Sequence, residues 1–277
     1  MIRAIVEDCA ISDVIEDKGI LIDCLSYCQQ EIRSMLGNDS AASLRDIRRF
    51  ICLAQTLKDR GHWTIDKVIL LTIYCCYSVR IAPFKSLSCD DQCQYKKFHT
   101  EISKYLGSEI DILELFDKAS KAVLNEGKDN NCIKDEIAIN RPLRENVFIM
   151  IHCFLASIPV FISGRPGTSK SVAIQVIESI LSLKDDIKAT STYFKGMPQA
   201  KFTPIWGSDD MTANHIQEIF THVSEAAKQK KDVLRVIYFE EMGIADCNQN
   251  NPLKVLHPLL EPKVLDNYTA SRTQSFG

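Results

Sequence analysis

Apolar residues recur every three or four positions over Ile11–Leu36, Leu44–Leu57, Ile65–Tyr77 and Ile102–Leu124, the spacing that gives a helix one buried face. Polar or glycine-bearing stretches interrupt the pattern: "GNDS" at 37–40, "KDRGH" at 58–62, "APFKSLSCDDQC" at 82–93 and "NEGKDNN" at 125–131. An all-helical region is therefore predicted up to residue 125, and the last of these stretches is polar enough to predict a hinge, with a domain boundary near residue 130.

Past that point the periodicity changes. Arg141–Ser157 reads as one more helix, "PVFIS" (159–163) as a short buried strand, and Lys170–Leu183 as a helix starting directly after a glycine-bearing loop. "KFTPIW" (201–206) predicts a second strand, Thr212–Lys230 a long amphipathic helix, and "LRVIYFEE" (234–241) a third strand ending in two carboxylates. Strands alternating with helices imply an α/β domain with a parallel sheet over 131–277, preceded by the helical domain of 1–130. The last stretch, "NYTASRTQSFG" (267–277), carries no helix or strand signal, so the α/β domain is expected to be incomplete at its C-terminus. No fixed-period repeat or low-complexity tract runs through the chain.

Composition changes this picture little. A length of 277 residues with 45% hydrophobic and 25% charged suits a globular protein of about two domains. The net charge of -3 supplies no basic stripe, so no nucleic-acid partner is expected. Glu7 and Asp8 interrupt the start before an apolar run can build, which excludes a secretory signal there. "VILLTIYCCY" (68–77) is too short to span a bilayer, and "VFIMIHCFLASIPVFI" (147–162) is broken by His152 and Pro159. A cytoplasmic chain without a membrane span is expected. Eleven cysteines, scattered from Cys9 to Cys247, read as reduced thiols in a cytosolic core. The pairs Cys24/Cys28 and Cys89/Cys93 lack the further ligands that a zinc site needs.

Candidate chemistry lies in "FISGRPGTSKS" (161–171). In the phosphate-loop pattern G-x-x-x-x-G-K-[ST] the first glycine makes the turn and backbone N–H groups surround the phosphates. The lysine neutralises charge and the hydroxyl holds magnesium. Gly164, Lys170 and Ser171 take those places, Gly167 adds freedom in mid-loop, and Pro166, Thr168 and Ser169 complete the candidate binding set. Ser169 stands where the pattern has its last glycine. A small side chain where the loop enters the helix is expected to fit without left-handed geometry. The bland alternative is a turn that only joins strand to helix.

"VIYFEE" (236–241) supplies the complement. An apolar strand ending in an acidic pair can give one carboxylate to a magnesium shell and a second to the attacking water, which assigns the metal side to Glu240 and the base to Glu241. Standing alone, two carboxylates at a strand end read as a turn into solvent. Glutamate at 240 adds a methylene to the usual aspartate, so it either crowds the water next to the ion or holds the ion displaced; binding survives both and turnover slows. His257, at the edge of an apolar helix, is expected to pack.

"IPVFISGRPGTSKSVA" (158–173), "VIYFEEMGIAD" (236–246) and "NPLKVLHPLLE" (251–261) together resemble an AAA+ unit of the mysterin type, the RING-finger E3 ubiquitin ligases with a dynein-like AAA+ core. That family also carries a small non-glycine residue before the lysine, as G-x-P-G-S-S-K-S, and follows its acidic strand with "GLAE" and "PLKTLHPLLE". "NRPLRENVFIMIHCFL" (140–155) resembles the helix leading into the unit's first strand. More loosely, "SLRDIRRFICLAQ" (43–55) and "KVILLTIYCCYSVRI" (67–81) resemble the helical lid of a preceding unit. In that lid Arg45 would approach the preceding unit's nucleotide; a plain helical core is the alternative. The resemblance implies a P-loop AAA+ fold, ATP with Mg2+, neighbouring AAA+ units in a longer chain, and ubiquitination machinery in the parent protein. It leaves 182–200 unmatched and departs at Glu240, where the family has aspartate. A non-hydrolysing structural ATP-binding module, or a midasin- or MoxR-type remodelling ATPase, are the other readings.

Overall fold

The computed structural model describes residues 2, 6, 18–81, 89–246 and 251–260. The chain divides into two compact units, one of 1–126 with 147–158 and one of 127–146 with 159–277. The first seven residues of the Ile11–Leu36 prediction and the final stretch 267–277 lie outside the described residues.

The first unit is helical. Helices α1 (Lys18–Leu36), α2 (Leu44–Asp59) and α3 (Ile65–Ile73) follow the apolar periodicity, and α3 runs through a π-helical turn, Tyr74–Ser78, into Val79–Ile81. Leu25, Ile32, Ile47, Phe50 and Tyr77 form its fully buried interior. The start of α2 is set by "SLRD": the Ser43 N–H donates to Asp46 Oδ2 at 2.7 Å, a reciprocal cap, while Arg45 is exposed in the first turn.

The predicted single helix Ile102–Leu124 is two helices, α4 (Cys89–Tyr105) and α5 (Ile112–Asp129). Gly107, at φ +58°, closes α4: its N–H donates to Lys104 O and the Ser108 N–H to Ser103 O. Asp111 then opens α5, its Oδ1 accepting from the Leu113 N–H at 2.8 Å. The predicted break at "NEGKDNN" is instead largely helical. There α5 continues to Asp129 and closes on left-handed Asn131, with buried Gly127 in ordinary packing contact with Ile133 and Ile180.

Helix α6 (Arg141–Leu155) ends on left-handed Ser157, and its last turns bring Phe148 against Phe116 at 5.1 Å between ring centroids. Cys24, Cys28, Cys75 and Cys153 are buried thiols of this helical unit, whereas Cys52 and Cys93 are exposed. No helix of the described residues is long and apolar enough to cross a membrane.

The second unit holds a two-stranded parallel sheet, β1 (Gln199–Trp206) beside β2 (Val233–Glu240), in register from Gln199–Val233 to Trp206–Glu240. Before it come α7 (Lys170–Leu181) and the short α8 (Asp185–Thr190), and between the strands lies α9 (Ala213–Gln229), capped by Thr212. One sheet face sends Ile205, Ile237 and Phe239 against Ile216 and Met211, with Ala245 of α10 (Met242–Asp246) closing the cluster. A 3-10 turn, Pro252–Val255, and α11 (Leu256–Leu259) complete the described elements. The predicted first strand does not form: Pro159–Ser163 has no strand pairing among the described residues, and Phe161 is 75% exposed rather than buried. An apolar run becomes a buried strand only where another strand offers its hydrogen-bonding edge, and the described sheet is β1 with β2 alone.

Candidate functional site

Residues 164–169 connect residues 159–163 to the first turn of α7. The loop turns at Pro166–Gly167, with Gly167 at φ +81°. Ser169 is the N-cap at φ 57°, ψ 26°, which corrects the expectation that a small residue there avoids left-handed geometry. Serine adopts the left-handed angle at this helix entry despite its β-carbon. Gly164 leaves room for the Thr168 side chain: a β-carbon there would stand 2.8 Å from Thr168 Oγ1 and displace that hydroxyl. That hydroxyl closes the loop by donating to Arg165 O at 2.8 Å.

Lys170 folds back over the loop. Its Nζ donates to Gly164 O at 2.8 Å and Arg165 O at 3.0 Å, and lies 3.3 Å from Thr168 Oγ1. The N–H groups of Gly167, Ser169, Lys170 and Ser171 meet no acceptor among the described residues, and no acidic side chain occupies the first turn of α7. Unfilled donors at the positive end of a helix are what an anion needs. The Ser171 hydroxyl is exposed in that same turn.

Two asparagines hold the loop from α6. Asn140 caps that helix, its Oδ1 accepting from the Leu143 N–H at 2.9 Å, and its Nδ2 lies 3.4 Å from Ser169 Oγ. Asn146 Nδ2 donates to Thr168 O at 2.9 Å. Motif reading did not find these residues. Asn140 in "NRPLREN" was a visible signal, since an asparagine just before a helix start is a cap.

The acidic pair ends β2. Glu240 is half-buried and in register with Trp206, which is 59% exposed; Glu241 is exposed and left-handed at φ +53°. Gly207 fixes the end of the strand: its N–H donates to Glu240 O at 2.9 Å, and its α-carbon packs against the Glu241 carbonyl. Burial, and then the charges of Glu240 and Glu178, push the Tyr238 phenol pKa up. The unit therefore contains both motifs, but no hydrogen bond or ion pair joins Lys170 or Ser171 to Glu240 or Glu241 among the described residues. His257 is exposed on α11, contrary to the packing role expected for it.

A small parallel sheet with a helix between its strands, and a glycine-bearing loop that opens a helix, fit a fragment of the AAA class. The model of the RNF213 AAA domain family matches residues 136–276, half of the chain, and the chain belongs to that family. It is 24% identical over 266 residues to E3 ubiquitin-protein ligase rnf213-beta of Danio rerio, covering 90% of this chain. It is 25% identical over 296 residues to E3 ubiquitin-protein ligase RNF213 of Homo sapiens, covering 96% of this chain, and 26% identical over 266 residues to that of Mus musculus, covering 90%. The chain spans 5% of the length of each of these curated relatives.

Proposed function

We propose that residues 164–171 form an ATP phosphate loop and that this chain is an AAA+ module of a longer mysterin-type protein, in which it hydrolyses ATP with Mg2+. One observation carries the reading: unfilled N–H donors at the start of α7, with a lysine whose ammonium already lies over the same loop. In this assignment Gly164, Pro166, Gly167, Thr168 and Ser169 shape the cradle, and Lys170 exchanges its loop carbonyls for phosphate oxygens. The donor set also fits magnesium. That ion keeps several waters and takes one or two protein oxygens beside phosphate, so the free Ser171 hydroxyl and the Glu240 carboxylate suffice without a denser cluster of ligands. The bound ion would neutralise phosphate charge. Glu241 would orient and deprotonate water, and its exposure at the strand end leaves it open to one.

Residues 1–130 are assigned as the lid of a preceding AAA+ unit, and 131–277 as the nucleotide-binding domain. On that assignment Arg45, which is exposed in the first turn of α2, would approach that neighbour's nucleotide. Ubiquitin transfer, named for the relatives, would belong to the parent protein. One observation favours a second reading, a module that binds ATP without hydrolysing it: glutamate at position 240, where the resembled family has aspartate.

Titration of the chain with MgATP, beside Lys170→Ala, tests binding; loss of the signal in the variant is expected. Turnover measured in the longer parent, with and without Glu241→Gln, separates the two readings. A fall of about 100-fold or more supports hydrolysis, and turnover indifferent to the substitution sinks it.

A further inference from the structure

We propose that Asn146 is a positioning residue of the phosphate loop, setting the direction in which the Ser169 N–H points. The inference rests on the reading of residues 164–171 as a phosphate site. A peptide bond is planar and trans, so the carbonyl of one residue and the N–H of the next point to opposite sides. Asn146 Nδ2 holds the Thr168 oxygen at 2.9 Å, which draws that oxygen toward α6. The Ser169 N–H on the other side of the same peptide is thereby turned away from α6, where it meets no acceptor and is free to serve a phosphate oxygen.

The tether matters because residue 169 is serine. Its left-handed backbone, at φ 57°, is disfavoured for any residue with a β-carbon. Flipping the Thr168–Ser169 peptide by about half a turn would carry φ of Ser169 into the ordinary negative region. The same flip would aim the Thr168 carbonyl, in place of an N–H, at the phosphate. Serine at this position thus favours the wrong peptide orientation, and Asn146 opposes it. Asn140 restrains the same peptide from its other end, with Nδ2 3.4 Å from Ser169 Oγ and its own orientation fixed by the Leu143 N–H. A glycine at 169 would be indifferent between the two orientations and would need the tether less.

The experiment is a double-mutant cycle on the full chain, titrated with a fluorescent ATP analogue plus magnesium and, separately, with inorganic tripolyphosphate. Asn146→Ala is expected to weaken both probes by about five- to tenfold, the worth of one hydrogen bond, with the unfolding midpoint little changed. In the Ser169→Gly background the same substitution is expected to cost about twofold or less. Asn146→Leu, similar in size and without a donor, replaces the alanine variant if that one does not fold. The inference is overturned if wild type binds and Asn146→Ala binds equally well, or if the loss is the same in both backgrounds. If wild type binds neither probe, the phosphate-site reading itself falls.

Discussion

Gly207 and Glu241 touch through their backbones: a β-carbon built on Gly207 would stand 2.2 Å from the Glu241 carbonyl oxygen and 2.8 Å from its carbon. No side chain can yield there, since the obstacle is main chain. Gly207 is required for this close approach and not for a special dihedral. Gly207→Ala is therefore expected to push Glu241 and the start of α10 away from β1, at a cost of about 2 kcal/mol. Denaturant unfolding of the variant checks the stability, and ATP turnover in the longer parent is expected to fall with it. An alanine variant as stable as wild type would show that the two strand ends do not meet this closely.

Ser169 gives a pair of opposite outcomes. Ser169→Gly removes a left-handed β-carbon and is expected to raise stability by up to about 1 kcal/mol while keeping phosphate binding. Ser169→Val places a β-branched side chain at the same φ, where it is a true outlier, and is expected to abolish binding. Thermal unfolding together with MgATP titration of both variants checks this. Equal binding by the valine variant would mean that the loop has another bound geometry.

Much of this was legible from local pattern alone. Helices α2 and α9 and the pairing of two parallel strands follow from periodicity with caps at Ser43 and Thr212. The loop was legible because its chemistry is packed into eight consecutive residues, 164–171. The misreadings have physical causes. Apolar spacing runs straight through Gly107, although that glycine and the capping Asp111 were signals of the break. The polar "NEGKDNN" is largely the last turn of α5, where Asn125, Lys128 and Asp129 face solvent and Gly127 is buried, a helical face that composition does not encode. "PVFIS" has strand propensity, but its assignment as a strand depends on a pairing edge elsewhere. Gly207 and Asn146 act through contacts distant in sequence, 22 residues away in the case of Asn146, so that composition marks an amide near the helix start but not its partner.

Lys188 offers a test of the stretch that the family resemblance leaves unmatched. It is 2% exposed, and its Nζ donates to Leu181 O at 3.0 Å and Pro198 O at 3.1 Å. The ammonium thus ties the C-terminus of α7, where cations are favoured, to the approach to β1. Lys188→Ala is expected to cost about 2 kcal/mol or more, because two carbonyls lose a charged donor in a closed site. Denaturant unfolding checks it; a change under about 0.5 kcal/mol, the range of a surface substitution, would mean that water replaces the amine there without loss.

His152 links the helical unit to pH. It is buried beside Trp63 and Phe148, with Nδ1 2.7 Å from Phe148 O, and burial brings its pKa down from 6.5 to about 4. The folded protein therefore keeps this ring neutral between those two values, while the unfolded chain takes up a proton. Because the unfolded state binds more protons in that window, stability falls as pH drops from about 6.5 toward about 4. The whole effect is of order 3 kcal/mol, and about 2 kcal/mol of it is reached by pH 5. His152→Gln removes the titrating ring and should flatten the dependence. Unfolding free energies of both proteins at pH 7 and pH 5 decide the matter: wild type should lose about 2 kcal/mol more than the variant on acidification, and parallel losses would assign the acid sensitivity to other groups.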